Sequence, residues 1–196
     1  MLIRLEPELK IGGSIQKRIN MKTRHLSKFL SLVLRHKPEE IGLQLDQQGW
    51  ASTQELLDKL QQRGMQVDID KLREVVQTND KQRFKLSEDE SQIRANQGHS
   101  IAIDLALEPQ EPPVVLYHGT ALRNKASILE KGLIKGSRQH VHLSSNKETA
   151  IKVGQRHGKP IVLVVDTQRM VADGFLFFRS DNGVWLTDHV PATYIQ

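Results

Sequence analysis

From Leu26 onward the apolar residues Leu26, Phe29, Leu30, Val33 and Leu34 recur at helical spacing. They predict a helix that stops at His36-Lys37, because Pro38 disfavours helical geometry in the residue before it. The segment IGLQLDQQGW (41–50) reads as a short strand and turn. Leu56, Leu57 and Leu60 mark the inward face of a second helix, with Ser52 or Thr53 as its cap and Glu55 at capping-box spacing from Ser52. Asp68 or Asp70 opens a third helix, Ile69 to Gln77, and RFKLS (83–87) reads as a strand. Residues 1–20 hold Gly12-Gly13 and no strong periodicity. With Met21 available as an alternative start, they read as an N-terminal extension.

The segment EPQEPP (108–113) holds three of the seven prolines and no apolar residue, which marks a linker. It divides the chain into residues 21–107 and 114–196. Beyond it, VVLYHGT predicts a strand ending at a glycine, and 121–131 a helix closed by Gly132. HVHLS (140–144) is a short strand, and Asn146 caps a helix running to His157-Gly158. PIVLVVD (160–166) is a buried strand, with further strands around FLFF (175–178) and GVWL (183–186). The fold class is α+β. Three helices followed by short strands make the first lobe winged-helix-like.

Composition narrows the class. Hydrophobic residues at 38% and charged residues at 26% describe a soluble globular chain, and the absence of cysteine excludes disulfides and Cys-ligated metals. The longest apolar runs are too short to span a bilayer, and Glu6 and Glu8 interrupt what an export signal would keep apolar. A cytoplasmic location is the expectation. The net charge of +5 is spread over both halves and points only weakly to nucleic acid.

Arginine and histidine sit in short Gly- and Ser-punctuated segments: LRHKPE, DKQRF, NQGHS, YHGT, SRQHVHLS and FRSDNGVWL. Each has an ordinary explanation. Arg35, His36 and Lys37 suit a helix C-terminus, Arg83 an edge strand, Arg94 a solvated surface, and Arg179, Ser180 and Asn182 a polar hairpin turn. His118 would cap a helix or satisfy a carbonyl. The phosphate-binding reading takes Gly119 and Thr120 as donors at a helix N-terminus and the NQGHS glycine as leave for close backbone approach. His140 and His142 alternate with valine and share a strand face. With His118 they would make a weak metal set lacking a carboxylate, and no metal is expected.

In this order and spacing, from Leu26 to the C-terminus, these motifs resemble the NAD-dependent RNA 2′-phosphotransferase family of the KptA type. The resemblance implies an N-terminal winged-helix lobe receiving RNA, joined to a C-terminal ADP-ribosyltransferase-like lobe receiving NAD as co-substrate. It implies a catalytic set of Arg35, His36, Arg83 and Arg138, and RNA contacts from Lys37, Gln97, His99 and Ser100. NAD contacts fall on His118, Gly119, Thr120, His142, Leu143, Ser144, Arg179, Ser180 and Val184. The implied reaction removes an internal 2′-phosphate from RNA, such as a tRNA splice-junction phosphate, through a 2′-phospho-ADP-ribosylated RNA. It releases nicotinamide and ADP-ribose 1″,2″-cyclic phosphate. Two alternatives stay open: an ADP-ribosyltransferase capping terminal phosphates of nucleic acid, and a non-catalytic winged-helix regulator. No membrane or obligate protein partner is expected.

Overall fold

The computed structural model describes residues 12–196, and side chains from residue 23 onward. Helix α1 (Gly12–Arg35) begins well before Leu26, so the part of the expected 1–20 extension that is described runs into this helix without a break. The rest of that extension lies outside the described residues. Leu26, Leu30, Val33 and Leu34 of α1 are buried, as their spacing requires. Each such burial contributes roughly 1.5–3 kcal/mol.

The segment 41–50 forms no strand. Asp46 instead accepts the backbone N–H groups of Gln48 and Trp50 (2.8 and 2.9 Å) and folds the chain back into a turn. Strand β1 (Ala51–Ser52) leads directly into α2 (Thr53–Gln62). Ser52 Oγ caps α2 by accepting the Glu55 N–H, but the capping box is not closed: the Glu55 carboxylate takes the Gln44 N–H. Asp68 caps α3 (Ile69–Thr78) through the Lys71 N–H. Strands β2 (Phe84–Leu86) and β3 (Gln92–Ala95) complete an antiparallel sheet in the order β1-β3-β2. The three helices and this sheet share one hydrophobic cluster spanning residues 26–95.

A second cluster spans residues 116–195. Strand β4 (Val115–Ala121) pairs along its whole length with β7 (Pro160–Asp166), antiparallel. Between them come α4 (Lys125–Lys131), β5 (Leu133–Ile134), β6 (Val141–Leu143) and α5 (Lys147–Gly154). The chain closes with α6 (Thr167–Ala172), β8 (Phe178–Arg179), β9 (Trp185–Thr187) and β10 (His189–Val190). Sheet β6-β9-β8 meets β4 through a bridge between Tyr117 and Ser144. Mixed helices and antiparallel strands make the fold α+β.

The linker does not hang free. Gln110 N–H donates to Phe177 O (2.8 Å), and Pro109 bridges Phe178. Residues 96–107, without helix or strand, stitch the two clusters together. Ser100 N–H donates to Arg35 O, Asp104 N–H to Gln47 O, and Gln139 Nε2 to the carbonyls of Ile101 and Ile103.

Candidate active site

Arg35 stands on the last turn of α1, half-buried, with Nη2 donating to Arg83 O (3.2 Å) and its Nε buried without a partner. Burial first, then the nearby guanidinium groups of Arg83 and Arg138, depress its pKa to about 10. It therefore stays charged at neutral pH but is electrostatically uncomfortable, as a cation awaiting an anion would be. Arg83 is aimed by Asn79, whose Oδ1 accepts from Nη1 at 3.0 Å, while Asn79 Nδ2 donates to Ser27 Oγ. Among the described residues the only carboxylate within ion-pair reach of Arg83 is Asp80, 3.9 Å away and largely in solvent.

His36 and Ser100 are joined between Nδ1 and Oγ at 2.9 Å, and the His36 pKa is lowered by burial, Arg35 and Arg138. Arg138 Nη1 donates to His142 Nδ1 at 3.3 Å. A guanidinium only donates, so Nδ1 is the acceptor and a neutral His142 carries its proton on Nε2. That Nε2–H is buried and has no partner in the protein. Burial, then Arg138 and its other charged neighbours, holds the His142 pKa down at about 3. His118 shows the converse. Its Nδ1–H must donate to the His142 carbonyl (3.1 Å), which leaves Nε2 as an acceptor. His142 on β6 thus keeps an unpartnered donor and His118 on β4 an acceptor at Nε2.

Gly98 explains how the halves meet. Its φ is +86°, and a Cβ there would lie 3.6 Å from Arg35 Nη1 and 3.8 Å from His142 Nε2. Backbone thus runs directly against both groups, in a conformation glycine adopts without strain. Arg83 and Arg138 both act electrostatically on Arg35, and Arg35 and Arg138 on His36 and His142, although the three arginines come from α1, the residue before β2 and the loop before β6.

Several expected residues sit differently. His99 is only 1% exposed, so its side chain is packed inside and does not face solvent. Burial, then Arg35, pushes its pKa down to about 4. Gln97 is half-buried in the same turn, and Lys37 is exposed. Gly119 and Thr120 are not at a helix N-terminus, because β4 runs on through Ala121. A Cβ on Gly119 would fall 1.7 Å from Ala150 O, so the glycine lets α5 lie against β4. Thr120 Oγ1 accepts from Asn124 Nδ2. The Leu143 side chain belongs to the core, and Ser144 Oγ bonds the Asn146 backbone. Ser180 Oγ bonds Asn182, Val184 O and Val184 N, which is the polar hairpin turn between β8 and β9. Arg179 lies 5.8 Å over the Trp185 ring.

His140, though near enough to act on His142, lines a separate cavity of about 370 Å³ with Phe178 and Asp188. Arg94, expected as a solvated charge, is 7% exposed, stacked 4.7 Å over Trp50 and paired with Asp181 across the two halves. Asn79 and Gln139 act as positioning groups that the spacing of the arginines and histidines does not mark. Asn182 Nδ2 donates to Lys81 O and ties the β8–β9 turn to the first half. The short polar run QTND before DKQRF was the only sequence signal for Asn79.

A family model described as RNA 2′-phosphotransferase, Tpt1 / KptA family, matches residues 21–189. A protein of Acaryochloris marina named "Probable RNA 2′-phosphotransferase" is 56% identical over 176 residues, covering 90% of this chain and 97% of that protein. Proteins of the same name from Agrobacterium fabrum and Flavobacterium johnsoniae are 57% and 54% identical, covering 86% and 87% of this chain and 91% and 94% of theirs. The chain belongs to this RNA 2′-phosphotransferase family.

Proposed function

With that membership as premise, we propose that the protein is a transferase that removes an internal 2′-phosphate from RNA by passing it to NAD. The observation that carries this reading is Arg35, whose Nε is buried without a partner and which has the guanidinium groups of Arg83 and Arg138 near enough to repel it, with no carboxylate within ion-pair distance among the described residues. The first half would be the winged-helix-like RNA lobe, a reading supported by its three helices and β1-β3-β2 sheet. The second would be the ADP-ribosyltransferase-like NAD lobe, supported by the unpaired His142 Nε2–H and the free acceptor on His118. A cytoplasmic location accords with the described residues, none of whose helices is long and apolar enough to cross a membrane.

NAD supplies an electrophilic ribose carbon whose bond to nicotinamide breaks as the 2′-phosphate oxygen attacks. That nucleophile is already anionic and needs no base. No carboxylate stands at Val184, whose N–H is held by Ser180 Oγ, so nothing there repels the phosphate. Arg35, Arg83 and Arg138 would grip its oxygens in forked, charge-assisted hydrogen bonds. In the second step the neighbouring ribose hydroxyl attacks phosphorus and the RNA 2′-oxygen leaves. The same guanidinium groups then stabilise the charge gathered on the phosphoryl oxygens. His36, anchored on Ser100 and favoured neutral at pH 7 by burial and its cationic neighbours, is suited to take the proton of the attacking hydroxyl and return it to the departing 2′-oxygen.

The test is incubation with NAD and an oligoribonucleotide bearing one internal 2′-phosphate. Loss of that phosphate with appearance of a cyclic ADP-ribose phosphate is expected. An ADP-ribosylated strand that persists would favour the capping reaction, and RNA binding without NAD consumption would favour a regulator.

A further inference from the structure

Beside Arg35 and Arg83 opens a cavity of about 840 Å³ whose far wall is Arg156 from the second half of the chain. Its floor is the polar stripe of α1. Arg24, Lys28, Ser31 and Arg35 fall at intervals of four, three and four residues, one helical face, opposite the buried Leu26, Leu30 and Leu34. The stripe covers on the order of 16 Å from Arg24 to Arg35 at 1.5 Å per residue, longer than a single internucleotide step. Six cations line the cavity against one carboxylate, Asp80, and no aromatic residue does among the described residues. Among the described residues no acidic side chain lies within ion-pair distance of Arg24, Lys28, Lys81 or Arg156, whereas Lys59, Arg63, Lys71, Arg73 and Lys85 of this half are paired.

We infer that this groove is the track for the RNA strand leading away from the 2′-phosphate, with Arg24, Lys28 and Arg156 holding its backbone phosphates. The inference rests on the function proposed above and extends it to the substrate beyond the reacting nucleotide. A lining of cations and hydroxyls, with no aromatic platform for stacking, reads phosphates and not bases. Recognition along the track is therefore indifferent to sequence and depends on strand length and salt. Arg156 opposite α1 lets the strand engage both halves of the molecule at once.

The experiment compares kcat/KM for a 2′-phosphorylated dinucleotide and for 2′-phosphorylated hexamers of two different sequences. The wild type should favour both hexamers to the same degree. Arg24→Ala, Lys28→Ala and Arg156→Ala should each cut that length advantage about three- to tenfold. The combined variant should flatten the slope of log affinity against log salt by about 2, at roughly 0.7 per single-strand phosphate contact. The milder Lys28→Gln and Arg156→Gln variants guard against misfolding and should shift the same ratio. Wild-type length advantage and salt slope in all these variants would overturn the track and assign the groove to something other than RNA. Should the wild type fail to turn over either substrate, it is the proposed function that fails. Fluorescence anisotropy with an unphosphorylated hexamer then judges the groove alone: salt-dependent binding weakened by the substitutions upholds it, and equal binding refutes it.

Discussion

Two arginines of the first half, Arg35 at the cleft and Arg73 on the outer face of α3, live in opposite electrostatic surroundings. Arg73 reaches Glu90 through Nε and Nη2 (2.9 and 2.6 Å) and Asp70 through Nη1 (2.5 Å), so its charge is fully answered and its pKa raised. Arg35 has a carbonyl, the ring of Phe84 with its centre 5.9 Å away and two other guanidinium groups. A structural arginine brings its own carboxylates. An arginine meant for a substrate is left without them, at a cost in stability that a phosphate would reverse. The same contrast separates the paired cations of the outer face from Arg24, Lys28 and Arg156 in the groove.

The largest effect expected from this contrast is on turnover. Arg35→Ala should lower kcat for the 2′-phosphorylated oligonucleotide about 10²–10³-fold, the cost of losing one preorganised donor to a developing anion. Arg35→Lys should recover little, because a point charge cannot reproduce the forked contact. Single-turnover rates at saturating NAD measure both. A loss of only a few-fold would remove Arg35 from the chemistry and equate it with Arg73.

Much of this arrangement was written in local sequence. The Pro38 stop, the Ser52 and Asp68 caps and the 3.6-residue stripe of α1 are short-range features, and each appears where spacing placed it. What escaped depends on partners remote in the chain. Arg94 looks like a surface charge until Asp181, 87 residues away, and Trp50 enclose it. His99 sits in a donor-rich turn, yet packing turns its ring inward. IGLQLD alternates like a strand, but Asp46 seizes the backbone donors a strand would need. Helix α6, capped by Asp166 through the Arg169 N–H, is only six residues long and follows directly on the apolar run of β7, which masks its periodicity. Asn79 carries no motif at all, and its role is visible only once Arg83 lies across it.

An intermediate effect is expected on stability below neutral pH. His142 and His99 have folded pKa values of about 3 and 4 against 6.5 when unfolded. The unfolded chain therefore binds protons first as pH falls below 6.5. The stabilisation from keeping these rings neutral is complete above that value and is lost on the way down towards the folded pKa values. The loss is at most about 1.4 kcal/mol per pH unit for each ring. Urea denaturation at pH 7.5, 6.5 and 5.5 should show stability level between the first two and falling at the third. Inorganic phosphate should blunt the fall, since an anion near Arg35 and Arg138 offsets the repulsion that helps depress His142. A flat profile, or no response to phosphate, would mean that the cationic cluster does not sense a bound anion.

The smallest effect belongs to the other arm of the comparison. Arg73→Ala removes a guanidinium as large as that of Arg35, but one whose charge is spent on Glu90 and Asp70 at the surface, where solvent screens the pairs. It leaves two carboxylates exposed to water on the face away from the groove. Turnover and RNA affinity should stay within about twofold of wild type, as for substitutions remote from any special feature. Melting should move less than it does on acidification. If Arg73→Ala instead impaired RNA binding as much as Arg24→Ala, phosphate attraction would be a property of overall charge. The argument from unanswered cations at the cleft would then lose its ground.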